Sequence, residues 1–262
     1  MLSNLAIFIF SYLLILLSVV GFGFLSSIIF NKFNISNNLG YFGLIGLLFL
    51  GIYSYLSSIF IKHSYLHNSV LLSIGLISFL YYLIKNFKKF KPQIFHFVII
   101  FFILFISSLI FKMHDDFPYY HFPYSHILTQ MEHPFGLGHV NPGFRNPSSL
   151  FFLNSLFYLP GTGIYLMQIY PVFILGFANL VLLNLIFNQK IYKNFKFINF
   201  LSLITLSFIN IFFYRIGEHG VDRSAMIIVF IAIIISFIIL KNIKNKKVYK
   251  ENLDLFFFIA IL

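Results

Sequence analysis

Ser148–Leu159 reads SSLFFLNSLFYL, and whether it crosses a membrane decides the side on which everything after it lies. A helix over these residues, at about 1.5 Å of rise each, reaches roughly 18 Å, well short of a hydrocarbon core of about 30 Å. The stretch therefore reads as a short embedded or interfacial helix that does not cross. Four longer apolar runs precede it, at 5–30, 41–61, 70–84 and 95–111, and three follow, at 164–187, 197–213 and 224–240. The run at 70–84 is short and must borrow flanking residues. The first run has no Lys or Arg before it and no small-residue cleavage site after it, so it is not an ordinary signal peptide. A last apolar run, 255–262, reads as the start of a further span. The chain is expected to be one transmembrane domain over 1–262, truncated at its C-terminal side.

Composition agrees with that reading. Of the 262 residues 60% are hydrophobic and 10% charged, where a soluble domain carries about 25% charge. So little charge cannot cover a globular surface, which excludes a soluble enzyme, a disordered chain and a nucleic-acid binder despite a net charge of +11. Cysteine is absent, which removes disulfides and thiolate metal sites. The bias toward Phe, Ile, Asn and Lys reads as an AT-rich, bacterial coding sequence.

Charge sorts by loop. If 148–159 does not cross, one side collects Lys32, then Lys85, Lys88, Lys89 and Lys91, then Lys190, Lys193 and Lys196, then Lys241, Lys244, Lys246, Lys247 and Lys250. The other side holds only Lys62, Lys112, Arg145, Arg215 and Arg223. Loops rich in Lys and Arg stay in the cytoplasm, which puts the N-terminus outside and makes the chain a multi-pass protein of the bacterial inner membrane. A crossing at 148–159 would reverse every later loop against that rule. The acids Asp115, Asp116, Glu132, Glu218 and Asp222 fall outside with most of the histidines. The outer face is thus balanced in charge and rich in titratable groups.

The outer loop 112–147 is KMHDDFPYYHFPYSHILTQMEHPFGLGHVNPGFRNP. A loop this long is functional or disordered, and its aromatic content argues against disorder. His114-Asp115-Asp116 follows the fourth span and sets two carboxylates at the membrane boundary. They suit a general base, or a divalent cation held by Asp115 and Asp116; the alternative is a hydrated stop for the helix. The aromatic run 117–124 suits the headgroup level. Residues 123–131 read as a surface helix with Ile127, Leu128 and Met131 on the lipid face, holding His126 and Glu132 near the aspartates. His114, His121 and His126 are candidate substrate ligands. Arg145 suits a phosphate oxygen, or pairs with Glu132 or an aspartate. The second outer loop, YRIGEHGVDR at 214–223, offers Arg215, His219 and Arg223 for a diphosphate, against local pairing with Glu218 and Asp222. Gly21, Gly23, Gly46 and Gly51 are assigned to helix packing.

These features resemble the GT-C fold class of polytopic membrane glycosyltransferases. In that class an outer acidic pair ends a transmembrane helix, membrane-parallel helices follow, and a Pro-containing motif leads into an apolar helix. The match lies in Asp115-Asp116, the 123–131 helix and Asn146-Pro147-Ser148-Ser149-Leu150-Phe151-Phe152-Leu153, spanning about 95–223. Three spans precede the helix that carries the pair, where the class has the pair after its first helix. The resemblance implies an all-α, polytopic transmembrane bundle with membrane-parallel helices in a long outer loop. It also implies sugar transfer from a polyprenyl-phosphate donor, with one Asp as base and Arg or His neutralising the leaving phosphate. The implied partners are membrane lipid and a lipid-linked sugar phosphate. A divalent cation is the one cofactor left open. Two alternatives remain: a glycan polymerase or ligase of the O-antigen type acting through Arg145, Arg215, His219 and Arg223, and a transporter or flippase. The expected spans contain no Asp, Glu, Lys or Arg, which counts against ion-coupled transport.

Overall fold

The structure is a computed structural model that describes residues 2–29, 38–109, 115–187, 196–212, 222–243 and 246–262. Long apolar runs become helices because a helix satisfies its backbone donors and acceptors within one segment, as lipid requires. In chain order these are α1 (Leu2–Ile29), α2 (Leu39–Ser58), α3 (Tyr65–Lys85) and α4 (Phe87–Ser108). Three short helices follow: α5 (Phe122–Gln130), α6 (Leu137–Val140) and α7 (Ser149–Ser155). Then come α8 (Tyr170–Phe187), α9 (Lys196–Phe212), α10 (Asp222–Lys241) and α11 (Lys246–Ile261). Among the described residues the only extended pairing is a bridge between Leu159 and Gly163.

The chain is thus an all-α, multi-pass membrane protein: α1 to α4, α8 and α10 are six helices long and apolar enough to cross a membrane. The run at 197–213 becomes the 17-residue α9, about 26 Å at 1.5 Å per residue. Two boundaries move. The run at 70–84 borrows residues back to Tyr65, where Ser64 caps α3 by accepting from the His67 N–H. The run at 95–111 starts eight residues early, at Phe87, with only Asn86 between α3 and α4 and with Pro92 inside the helix. Similarly, α11 starts at Lys246, ahead of the apolar run at 255.

Contacts fix which helix ends lie together. At one end, Gly161 packs on Ile7 of α1 and the His63 N–H donates to the Leu128 carbonyl at 2.8 Å. Tyr65 of α3 stacks on Tyr158 there as well, with ring centres 4.2 Å apart. At the opposite end, the Leu39 N–H that opens α2 donates to Gln93 Oε1 at 2.8 Å, and His96 of α4 stacks on Phe187, the last residue of α8. Lys241 at the end of α10 sits over the Phe197 ring near the start of α9. So α4 finishes and α8 begins at one and the same end, and the segment between them does not cross. Its helix over 148–159 is only seven residues long.

Backbone approaches knit the first three helices. A Cβ on Gly46 would lie 1.8 Å from the Val19 carbonyl oxygen, and one on Gly21 1.9 Å from that of Gly75. Gly51, assigned to packing by sequence, has nothing within 4 Å, whereas Gly75 does the packing. The most enclosed span is α8, 78% buried against 22% for α4. Its buried Asn179 exchanges two amide hydrogen bonds, 3.0 and 2.8 Å, with the exposed Asn210 of α9.

The non-crossing segment is fastened by buried polar groups. His63 is fully buried, its Nδ1 2.5 Å from Ser155 Oγ and its Nε2 2.8 Å from Ser57 Oγ. Ser155 Oγ donates to the Phe152 carbonyl, so Nδ1 carries the proton and Nε2 accepts from Ser57. The Asn68 amide donates to the carbonyls of His63, Ser155 and Tyr158 at 2.8–3.0 Å. Burial, reinforced by the neighbouring His67, pushes the His63 imidazole down from 6.5 to about 3. The ring stays neutral in the fold, while an unfolded chain takes up a proton below 6.5. The stability it contributes is complete above that pH and is lost as pH falls toward 3.

Two outcomes follow for the purified protein in detergent. Its melting temperature should fall below pH 6.5, and His63→Gln should flatten that dependence while lowering stability by about 1–3 kcal/mol for each buried partner left unsatisfied. Gly46→Ala should prevent a monodisperse elution peak, and Gly51→Ala, where no atom lies within 4 Å, should leave it intact.

Candidate functional site

The non-crossing segment folds into a small aromatic cluster of its own. Tyr124 and Leu128 of α5 pack with Phe144 and with Phe151 and Phe152 of α7, while Tyr120, Ile127 and Leu137 close its edge. Here the expected face of the surface helix is corrected. Leu128 and Thr129 are buried and Met131 is half exposed, because α5 packs on α7 rather than presenting Ile127, Leu128 and Met131 together.

Phe117–His121, immediately before α5, is a wide helical turn with Pro118 near its start. The Asp116 carbonyl accepts from the N–H groups of Tyr119, Tyr120 and His121. Its carboxylate, through Oδ2, accepts from the Tyr120 hydroxyl at 3.0 Å. Burial first, then Asp116 and the more distant Asp222, push the Tyr120 hydroxyl above its ordinary value. Asp222, at the first turn of α10, is within electrostatic reach of both Tyr120 and Tyr170. Asp222 therefore lies at the same end of the bundle as the non-crossing segment. Asp115 is exposed and does not share the Tyr120 contact.

Beyond the aromatic cluster lies an open groove of about 550 Å3. Tyr55, Tyr124, Phe144 and Phe152 form its floor, and His133, His139 and Arg145 supply its polar groups. His133 Nε2 sits 2.7 Å from the Tyr124 hydroxyl, and its ring stacks on Phe152. Burial lowers the His133 imidazole from its ordinary value and raises the Tyr124 hydroxyl to about 12. Arg145 donates from Nε to the Gly138 carbonyl at 3.4 Å. Gly136, with φ of +84°, makes the left-handed turn that opens this wall. Phe135 is 90% exposed beside it, a large apolar surface facing outward. Gly143 packs directly against Tyr120, where a Cβ would lie 2.9 Å from its side chain.

The sequence-derived residues thus separate. Arg145 lines the groove, while Glu132, its suggested partner, lines a different cavity. Neither aspartate lines the groove; Asp116 is bonded to Tyr120, whose ring contacts Phe151 of the aromatic cluster. His121 is buried against Tyr120 and Phe151. His126 stacks on Phe122 and abuts Tyr158, so it faces α7's end rather than the groove. Arg223 sits in the first turn of α10 beside Asp222. His114, Arg215 and His219 lie outside the described residues. Among the described residues no three His, Asp or Glu side chains gather at metal-holding spacing.

Sequence reasoning did not single out His133, His139, Tyr124 or Tyr55 as groove residues. The turn-rich HPFGLGH stretch signalled the first two, whereas nothing near Tyr55 marks the end of α2 as a wall.

No family model, curated protein or solved structure matches this chain.

If the groove takes a phosphate-bearing lipid, Arg145→Gln should weaken binding of a polyprenyl diphosphate about tenfold or more, the size of a hydrogen bond to a charged group. Asp115→Asn should leave that affinity unchanged. Calorimetry in detergent micelles reads both.

Proposed function

We propose that the chain is an integral membrane glycosyltransferase using a polyprenyl-phosphate-linked sugar at the end of the bundle that carries residues 115–169. On the lysine distribution that end is the outer face of a bacterial inner membrane. The observation that carries the reading is one of placement. Asp116, oriented by Tyr120, stands just past a membrane helix, on the same non-crossing segment as an aromatic groove bearing Arg145 and two histidines.

In this reading Asp116 takes the proton of an acceptor hydroxyl as its oxygen bonds to the anomeric carbon. The bond from that carbon to the donor phosphate breaks, and the phosphate leaves with the electron pair. Arg145 and His139 offset its charge, and aromatic walls hold the apolar part of the donor. Membrane lipid is the surrounding partner, and the lipid-linked sugar phosphate is the substrate.

One observation favours a second reading, a polymerase or ligase of lipid-diphosphate glycans: the groove contains Arg145, His133 and His139 but neither aspartate. A single set of variants separates the two. Under the first reading Asp116→Asn accumulates normally in the membrane yet loses glycolipid product by about a hundredfold or more, the range for removing a general base. Under the second, Arg145→Gln loses product while Asp116→Asn retains it. Normal product from Asp115→Asn, Asp116→Asn and Arg145→Gln alike would discard both.

A further inference from the structure

Residues 131–133 run between α5 and the glycine-rich turns, with Met131 extended at φ −147° and ψ 167°. His133 faces the aromatic groove, and Glu132 faces a second cavity of about 480 Å3 beside the junction of α2 and α3. Lys62 and Ser64 join Glu132 at its rim, and Leu66, Val70 and Ile74 form its wall.

The wall and the rim differ in character. Leu66, Val70 and Ile74 are 76%, 54% and 48% exposed along one side of α3, a helix apolar and long enough to span. That stripe is suited to a hydrocarbon chain. At the rim, Lys62 and Glu132 are both exposed, and among the described residues they form no ion pair with each other. Ser64 accepts the His67 N–H through its oxygen, which leaves its hydroxyl hydrogen for another acceptor. The 21-residue α3 begins here, adding the positive end of its dipole. His67 belongs to the wall alone, since Tyr53 and Asn68 occupy its two ring nitrogens.

We infer that this groove binds a phospholipid whose headgroup carries both a phosphate and a primary ammonium, phosphatidylethanolamine being the simplest such lipid. The phosphate meets the Lys62 ammonium and the Ser64 hydroxyl. The lipid ammonium donates to the Glu132 carboxylate, and one acyl chain lies along Leu66, Val70 and Ile74. A choline headgroup has no N–H to donate to Glu132, and a glycerol headgroup has no positive charge for it. This site is independent of the catalytic reading above.

The absence of tryptophan from the chain makes the test direct. Val70→Trp places a single indole in the groove wall of the whole protein, reconstituted in phosphatidylcholine vesicles containing a fraction of acyl-brominated lipid. Brominated phosphatidylethanolamine should quench it with about two- to fivefold higher relative affinity than brominated phosphatidylcholine or phosphatidylglycerol, the range of a partly exposed ion pair. Adding Glu132→Gln should erase the preference, and Glu132→Lys should turn it toward phosphatidylglycerol. Equal quenching by the three lipids overturns the inference, as does an ethanolamine preference that survives Glu132→Gln.

Discussion

A segment that leaves one end of a membrane bundle and returns to the same end has no span of its own to anchor it. Here that anchoring falls to a few buried hydrogen bonds around His63 and Asn68. His63 uses both ring nitrogens and its backbone N–H, and Asn68 reaches two carbonyls at the end of α7. Such groups contribute modestly when paired and cost much more when one partner is removed in a buried setting. The arrangement is therefore specific rather than merely adhesive.

The rest of the outer layer inherits its position from the docking of α7. Since α7 is fixed, Phe151 and Phe152 are fixed, and Tyr120, Tyr124 and Phe144 pack around them at ring separations of 5.4–6.2 Å. Edge-on aromatic contacts of this kind each add about 0.5–1.5 kcal/mol beyond burial. The cluster also connects the two polar features: Tyr120 at its edge holds Asp116, and Tyr124, Phe144 and Phe152 line the Arg145 groove.

Much of the architecture was legible in the sequence because length is a physical constraint on crossing a bilayer. The apolar runs gave the spans, and 12 residues at 148–159 were too few. What was not legible depended on partners distant in the chain. The start of α4 at Phe87 was hidden by lysines and Pro92, which tertiary contacts tolerate near a helix start. The buried face of α5 was misread because the helix packs on α7, so a periodicity argument written for a membrane surface chose the wrong side. Gly51 and Gly75 look alike in sequence, and only the path of α1 tells which one must lack a side chain. Arg145 was picked out by residue type alone and lines the groove, while Tyr55 was missed because its place comes from a wall assembled by another loop.

The fastening has a consequence in time. His63 and Ser155 are separated by 92 positions, and Asn68 and Tyr158 by 90. At a synthesis rate of roughly 5–20 residues per second, α2 and α3 emerge about 5–20 seconds before the residues that complete their corner. During that interval His63 and Asn68 have their local partners, Ser57 and the His63 carbonyl, while the bonds they later make to Ser155 and Tyr158 are left to water. The arrival of α7 expels that water and completes the corner as a late, separate act of assembly, after the first four helices are already in place.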